Sequence, residues 1–355
     1  MRADHTHHLE GLSPEHCWSL FKNLAFENGA SGPYSHLESI GREIVAKCQG
    51  LPLAVRALGC LLYPGTDRRK WEEILESEIW DLQDSQRHKI LPSLILSYQD
   101  LPLHLKRCFA YCSIFPKDHE FDKENLILLW MAEGLLPFSE GNERMGKVGE
   151  QYFDELVSKS FFQSVKKESC FVMHDLIHDL AQYTSREFCI RVEDDKVPEI
   201  SENTHHSLVF CRNFERLDAL KRFEALAKIK CLRTYLELPL FPSYELGKRG
   251  MVDLRATLSK WRYLRVLSLS IYFLTDLPDS IGELKHLRYL GISRASIEKL
   301  PDSVCCLYNL QTMILSRCGN LIELPKRMDK LINLRYLDIR GCEEMASHIS
   351  QLKNL

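Results

Sequence analysis

The feature that most constrains the fold is a leucine repeat near the end of the chain. Repeat units begin at Leu264, Leu287, Leu310 and Leu334, at steps of 23, 23 and 24 residues. Each unit opens with the pattern L-x-x-[LM]-x-[LI]. This period and pattern are typical of leucine-rich repeats, in which every unit adds one strand and stacks on its neighbours. The sequence therefore predicts a leucine-rich-repeat solenoid within residues 185–355.

A second set of markers keeps the same step. The dipeptides Leu277-Pro278, Leu300-Pro301 and Leu324-Pro325 recur once per unit. Cys318 and Cys342 lie where such repeats use an Asn or Cys side chain to bond the turning backbone. We therefore expect these two thiols to contact backbone carbonyls inside the solenoid.

Other parts of this region are less regular. Tyr272 and Ala295 take the place of the cysteine in the earlier units, which predicts irregular turns there. Leu208 and Leu232, 24 residues apart, are candidates for the starts of two degenerate repeats. The segment Glu237–Lys260 then reads as a loop insertion before the regular units.

The concave face of the solenoid is a candidate binding surface. Alternate side chains of each strand point to this face. Among them we predict a protein-binding surface made of Tyr289, Thr312, Tyr336, Asp338 and Arg340. Aromatic side chains and Arg are enriched at protein interfaces. A solvated face with two incidental tyrosines is an equally open alternative.

The segment 1–88 is predicted to be a bundle of helices. Ser13 and Pro14 have the residue types of an N-cap and a first helical position. Gly50 suits the residue just after a helix, and Pro52 suits the first turn of the next one. From these residues alone, a tight helix–helix corner is favoured over a ligand site.

The segment 89–184 is predicted to be a winged-helix domain, because three helices are followed by two short apolar strands around residues 166–169. Asp122 is expected to cap a helix over Lys123–Glu133 that Gly134 ends. A winged helix raises a DNA-binding hypothesis. Residues 101–185 contain nine Lys/Arg and thirteen Asp/Glu, a net charge of −4, which argues against it. A packing module fits this segment better.

The sequence Phe171–Ala181 marks the junction between this segment and the repeats. His174 and His178 are four residues apart, one residue type away from the zinc-protease pattern H-E-x-x-H. A third ligand is not evident downstream, so we predict no metal site. The alternative is that Asp175 caps the helix while His174 forms a local hydrogen bond. From the residues alone, a ligand contact by His174 stays equally open.

The composition sets limits on the function. The chain has 355 residues, a net charge of −3 and 13 cysteines without a regular framework. The charge gives no general attraction to nucleic acid or anionic membranes. The cysteines, with no apolar signal segment at the N-terminus, predict reduced thiols in the cytoplasm, with the nucleus as an alternative.

Five motifs together resemble plant disease-resistance proteins with a nucleotide-binding domain and leucine-rich repeats, of the coiled-coil subclass. In order along the chain they are Leu12–Phe21, Gly50–Ala54 (GLPLA), Cys108–Asp118 (CFAYCSIFPKD), Trp130–Leu135 and Met173–Asp175 (MHD). The resemblance extends from about residue 9 to the end of the chain. It implies a multidomain α+β protein made of a helical bundle domain, a winged helix and an α/β repeat solenoid.

The resemblance also implies an ADP/ATP-controlled switch. In the family, ADP holds the nucleotide-binding, helical and winged-helix domains closed. Carried over to this sequence, Pro52 would line the adenine pocket and His174 would reach the β-phosphate, with Asp175 supporting its turn. A contact made only in the closed state would favour that state.

One departure from the family pattern limits these expectations. The motif G-x-x-x-x-G-K-[ST], which cradles phosphates, does not occur in this sequence. We therefore expect a partial chain, truncated also within the repeats, that binds ADP poorly on its own and hydrolyses nothing.

Two functions stay open. The first is a plant immune receptor acting in defence, whose repeats recognise a pathogen effector or a guarded host protein. In a full-length relative its other partner would be the intramolecular nucleotide-binding domain. The alternative is a repeat scaffold or decoy that binds proteins with no nucleotide control.

Overall fold

The computed structural model describes residues 10–27, 32–64, 67–81, 90–137, 142–165, 170–193, 200–210, 225–238, 254–269 and 274–346. The chain forms two compact units. The first consists of residues 1–109, 117–120 and 151–184, and the second of residues 110–116, 121–150 and 185–355. The domain boundaries predicted from the sequence, after residues 88 and 184, separate modules and not these compact units. They stay a prediction.

The α-helices are α1 (Pro14–Ala25), α2 (Glu38–Lys47), α3 (Pro52–Leu61), α4 (Arg68–Leu75), α5 (Pro92–Asp100), α6 (Leu103–Tyr111), α7 (Lys123–Glu133), α8 (Asn142–Ser158), α9 (Asp175–Ser185), α10 (Leu254–Leu258) and α11 (Glu343–Ala346). The strands are β1 (Phe121–Asp122), β2 (Gln163–Ser164), β3 (Cys170–Val172), β4 (Cys189–Glu193), β5 (His206–Phe210), β6 (Thr234–Leu238), β7 (Val266–Leu269), β8 (Tyr289–Ile292), β9 (Thr312–Ile314) and β10 (Tyr336–Asp338). Short 3₁₀ turns cover Gly32–Leu37, Glu78–Asp81, Cys112–Ile114, Arg186–Phe188, Asp279–Glu283, Asp302–Cys306 and Met328–Lys330.

Three of the predicted helix ends are confirmed. The Ser13 side chain accepts a hydrogen bond from the amide of His16, and Pro14 is the first residue of α1. The Asp122 carboxylate accepts from the amide of Asn125, so it satisfies a free N–H at the start of α7. Gly134 ends α7 with φ of 72°, a left-handed conformation that favours glycine.

Aromatic rings hold the helical core of the first unit together. Trp18 stacks on Phe21 with ring centroids 5.7 Å apart, and Phe21 meets Trp71 edge-on at 5.5 Å. Gly41 of α2 lies against this cluster. A Cβ atom at Gly41 would come within 2.7 Å of the Trp18 ring and 2.8 Å of the Trp71 ring. Only glycine lets the helix approach so closely without moving both rings.

The strands β2 and β3 of the first unit pair antiparallel, with Gln163 opposite Val172 and Ser164 opposite Phe171. This confirms the two predicted strands. The connecting turn, residues 166–169, lies outside the described residues.

The second unit is built on a seven-stranded sheet in the order β10-β9-β8-β7-β6-β5-β4. All neighbours in this sheet pair in parallel. Strands that are adjacent in this sheet are therefore also consecutive along the chain, as a leucine-rich-repeat solenoid requires. The repeat leucines fill the core, and those that open the regular units, such as Leu264, Leu287 and Leu310, are fully buried. The predicted solenoid is confirmed.

The predicted thiol contacts are also present. The Cys318 thiol lies 3.4 Å from the carbonyl oxygen of Ile292, and the Cys342 thiol lies 3.0 Å from that of Leu315. Each cysteine therefore bonds the backbone of the preceding repeat unit. Tyr272 and residues 349–355 lie outside the described residues, so the expectations about them stay untested.

The degenerate repeats need one correction. Leu232 precedes β6 as Leu264 precedes β7, because Thr234 pairs with Val266. Leu208, however, lies inside β5 opposite Leu236, so it does not start a unit. Thr204 takes that place, since His206 pairs with Thr234. Because Thr204 is not a leucine, a search for repeated leucines did not detect the start of this repeat unit.

Candidate functional site

His174 lies at the turn between β3 and α9 and is exposed. Its carbonyl accepts hydrogen bonds from the amides of Ile177 and His178, at 2.8 and 2.9 Å. Its ring nitrogen Nδ1 accepts from the amide of Leu176 at 3.2 Å. His174 therefore caps α9 with both its backbone and its side chain.

The capping bond fixes the tautomer of His174. A nitrogen that accepts an N–H must be unprotonated, so a neutral imidazole carries its hydrogen on Nε2. This leaves one N–H donor on an exposed ring at a helix N-terminus. A helix N-terminus and an imidazole N–H are both suited to an anion such as phosphate.

The next polar residues along the chain have structural roles; they are Asp175, His178 and Asp179. Asp175 is the first residue of α9 and not its cap, so the capping role assigned to Asp175 is wrong. Asp179 forms an ion pair with Lys117 at 2.6 Å. His178 is buried, with 1% of its surface exposed. His174 and His178 thus differ completely in accessibility, and the described residues include no cluster of three potential metal ligands.

Pro52 is the first residue of α3 and is exposed. It follows the turn at Gln49 and Gly50, whose φ values of 52° and 76° are left-handed. The carbonyl of Gly50 accepts from the amide of Leu12 at 2.9 Å. An open cleft of about 550 Å³ lies on this side of the bundle, lined by residues that include Leu12, Trp18, Arg42 and Gly50. Pro52 is next to this cleft in sequence but is not among its lining residues.

The concave face of the repeats is partly covered by α7. The hydroxyl of Tyr289 donates to the Asn125 side chain at 2.9 Å. Tyr289 is consequently buried, with 4% of its surface exposed, and Thr312 on the neighbouring strand is also buried, with 2% exposed. The prediction that they belong to an open binding surface is therefore corrected, because both side chains are buried and α7 occupies the face at Tyr289.

The remaining members of the predicted surface lie towards β10. Tyr336 is half-buried and Asp338 is buried. Arg340 is exposed and forms a two-pronged ion pair with Asp338, with contacts of 2.9 Å from Nε and 2.8 Å from Nη2. This pair lowers the pKa of the Asp338 carboxyl. Arg340 is thus accessible, but Asp338 already neutralises its charge.

A buried polar cluster joins the C-terminal end of α7 to β5 and β6. The Thr234 hydroxyl donates to the carboxyl group of Glu133, which is 3% exposed. The His206 ring nitrogen Nδ1 lies 3.1 Å from the Thr234 oxygen, and the Tyr111 hydroxyl lies 3.5 Å from it. Because Thr234 donates to Glu133, the histidine must donate to Thr234. The result is a chain of hydrogen bonds from His206 through Thr234 to Glu133.

The protonation states follow from burial. Burial raises the pKa of the Glu133 carboxyl, opposed by its hydrogen bond from Thr234 and by nearby arginines. Burial, as the largest cause, acts together with the charges of His205, Arg233 and Arg265 to lower the pKa of His206 to about 3. The contact of 3.8 Å between Glu133 and His206 is therefore not an ion pair at neutral pH, because the imidazole is uncharged.

Sequence reasoning did not find this cluster. Glu133 and Thr234 are 101 residues apart, and no local pattern links them. One weak signal was present: Glu133 ends α7 directly after the apolar run Leu126–Ala132, and a glutamate beside so many buried side chains needs a buried partner.

The comparisons with known proteins agree with these observations. Residues 114–181 match the disease resistance protein winged helix domain, and residues 248–355 match a leucine-rich repeat region. The disease resistance RPP13-like protein 1 of Arabidopsis thaliana is 43% identical over 281 residues. The chain belongs to the plant disease-resistance proteins. The predicted winged helix, repeat solenoid and mixed α+β architecture are thereby confirmed.

Other members of the family cover different parts of the chain. The disease resistance protein RGA2 of Solanum bulbocastanum is 44% identical over 56% of this chain and 20% of its own length. The disease resistance RPP13-like protein 4 of Arabidopsis thaliana is 30% identical over 97% of this chain and 37% of its own length. The match to RPP13-like protein 1 covers 78% of this chain and 26% of that protein. This chain thus spans about a quarter of that relative. In the described ranges, no helix has both the length and the apolarity needed to span a bilayer.

Proposed function

We propose that this chain supplies the helical, winged-helix and repeat modules of a plant immune receptor whose resting state is held by ADP. In this role His174 donates from Nε2 to a phosphate oxygen of the nucleotide, and Pro52 lies against the adenine. When bound, the nucleotide supplies a contact that only the closed arrangement can make, so it shifts the population towards that arrangement. The repeats bind a protein partner, either a pathogen effector or a guarded host protein, in the cytoplasm or the nucleus.

The observation that carries this proposal is the capping bond between His174 and Leu176. It holds the imidazole in one orientation and one tautomer, with its remaining N–H exposed at the start of α9. A histidine that rotates freely on a protein surface has neither a fixed orientation nor a fixed tautomer. Asp175 is the first residue of α9, and in this proposal it supports the turn that holds His174.

The residues present fit only part of an ADP site. The donor at His174 suits a phosphate, but the sequence has no phosphate-binding loop to surround one. We therefore infer weak ADP binding by this chain alone and no nucleotide hydrolysis. A complete site would need a nucleotide-binding domain, as in the family pattern.

One experiment tests the proposed nucleotide control. The chain is purified and denatured, and the released adenine nucleotide is quantified. We expect far less than one nucleotide per chain. Stoichiometric ADP would show that the phosphate-binding loop is not required, which would overturn the inferred weak binding.

A second experiment tests the role of His174 itself. In a full-length relative that carries the same MHD motif, alanine at the position of His174 should release ADP and raise basal signalling. The matched control is alanine at the position of His16, another exposed histidine in a helix N-cap contact. If nucleotide retention and signalling both stayed unchanged, the repeat scaffold without nucleotide control would be the better function.

A further inference from the structure

A ladder of donor side chains runs across six strands of the repeat sheet, just before each strand begins. Its rungs are joined by backbone hydrogen bonds in which each amide donates to the carbonyl of the preceding rung, at 2.7–2.8 Å. In order, the rungs are His205, Arg233, Arg265, Arg288, Gln311 and Arg335. We call this set the arginine ladder. Neighbouring rungs are separated by one strand spacing, about 4.8 Å along the sheet.

The ladder contains four guanidinium groups and no carboxylate. Its first three arginines all act electrostatically on the Glu133 carboxyl at the end of α7. Arg265 also donates to the backbone carbonyl of Glu133 at 2.6 Å. The ladder therefore lies beside the C-terminal end of α7, whose free carbonyls carry roughly half a negative charge.

The partial negative charge at this end of α7 does not neutralise the positive charge of the arginine ladder. Glu133 offers a single carboxyl group, which already accepts from Thr234, against the four guanidinium groups of the ladder. Arg335 has the thioether of Met145 as its hydrogen-bond partner, at 3.1 Å, and a thioether is a weak acceptor. Within the described ranges, no carboxylate forms an ion pair with Arg233, Arg288 or Arg335. The positive charge also lowers the pKa of His205, after burial as the larger cause.

We propose that the arginine ladder binds a soluble ligand with two or more phosphate groups. Guanidinium groups bind phosphate oxygens with two parallel hydrogen bonds each. Rungs one strand spacing apart can hold adjacent phosphates, and the Gln311 amide between Arg288 and Arg335 adds an uncharged donor. All four arginines are half-buried, so their charges are less screened than on an open surface.

The partial burial also selects the ligand. The rungs lie in a row beside α7, and two of them come close to its end: a Cβ atom on Gly134 would lie 3.4 Å from Arg288 Nη1 and 3.6 Å from Arg265 Nη1. Half-buried arginines suit a small polyphosphate better than a flat membrane surface or a nucleic-acid duplex, each of which needs an open face.

The test is a calorimetric titration of the whole chain with pyrophosphate, compared with sulfate at equal ionic strength. We expect pyrophosphate to bind more tightly than sulfate. The Arg288→Gln variant should weaken pyrophosphate binding by about tenfold or more, because one charge-assisted contact is lost. Arg335→Gln should do the same, and it serves as the second variant if Arg288→Gln does not fold. The exposed Arg262, in the same repeat region but outside the ladder, gives the control variant Arg262→Gln, which should bind normally.

Three outcomes would overturn the proposal. One is equal loss of binding in Arg262→Gln, which would show a general charge effect. A second is loss of binding in His174→Ala, which would place pyrophosphate at the β3–α9 turn instead. A third is stronger binding to vesicles that contain phosphatidic acid, or to duplex DNA, than to pyrophosphate. The ladder and the proposed ADP contact can therefore fail independently.

Discussion

The His174 turn and the Glu133 cluster are both polar arrangements at the end of a helix, but they are built in opposite ways. The hydrogen bond at the His174 turn joins the imidazole to the amide of Leu176, two residues later, and the ring is exposed to solvent. The Glu133 cluster joins residues 101 apart in sequence, and its main members are almost fully buried. Water can replace the first contact at small cost, whereas loss of the second leaves polar atoms without partners. The exposed turn is therefore suited to binding a ligand, and the buried cluster to fixing the position of α7.

The largest expected effect tests the buried side of this comparison. Glu133→Ala removes a buried carboxyl that accepts from Thr234, and it leaves a cavity against the sheet. We expect a loss of about 2–4 kcal/mol in the free energy of unfolding, measured by urea denaturation. Glu124→Ala in the same helix is the control, because Glu124 is exposed. Equal effects of the two substitutions would mean that the cluster does not stabilise the unit.

Thr234→Val isolates the central hydrogen bonds, because it keeps the side-chain shape and removes the hydroxyl. Both Glu133 and His206 would lose their shared partner. We expect a loss of about 1–3 kcal/mol in the same measurement. A stability equal to that of the original chain would show that water or Tyr111 can take over the role of the hydroxyl.

The pH dependence of stability sharpens the comparison further. The folded pKa of His206 is about 3, whereas an unfolded histidine titrates near its ordinary value of 6.5. Between these two values the unfolded state binds more protons, so stability is complete above pH 6.5 and falls as the pH drops. The fall is at most about 1.4 kcal/mol per pH unit for one histidine.

His206→Gln should therefore reduce the difference in stability between pH 7 and pH 5, measured by urea denaturation in matched buffers. The remaining slope would include His119, whose pKa burial lowers to about 4. An unchanged slope in His206→Gln would show that His206 is not neutral in the folded protein.

The smallest expected effect concerns the exposed turn. His174→Ala removes one capping bond in water, so the free energy of unfolding should fall by only about 0.5–1 kcal/mol. His174→Asn keeps a capping side chain and should restore most of this loss. A thermal-melting comparison of the three proteins checks the prediction. A loss as large as that of Glu133→Ala would contradict the contrast between the two sites.

Local features of the sequence predicted much of this structure. The N-caps at Ser13 and Asp122, the left-handed Gly134 and the start of α3 at Pro52 each depend on a few neighbouring residues. The repeat units depend on a period that is visible without any contact. The same reasoning failed at Asp175, because two adjacent polar residues could each cap α9, and only the backbone geometry shows that His174 does so.

By itself, the sequence determined the type of each module and the residues able to start or end its helices. Tertiary structure alone decided which face of the solenoid stays open, because α7 lies far from β8 in sequence and yet its Asn125 bonds Tyr289. It also decided that Arg233 aligns with Arg265, although 32 residues separate them while the regular units repeat every 23 or 24. Strand pairing sets that alignment through backbone hydrogen bonds, which do not depend on the length of the loop between two strands. A ladder formed in this way has no fixed spacing in the sequence, so it becomes visible only when the sheet is assembled.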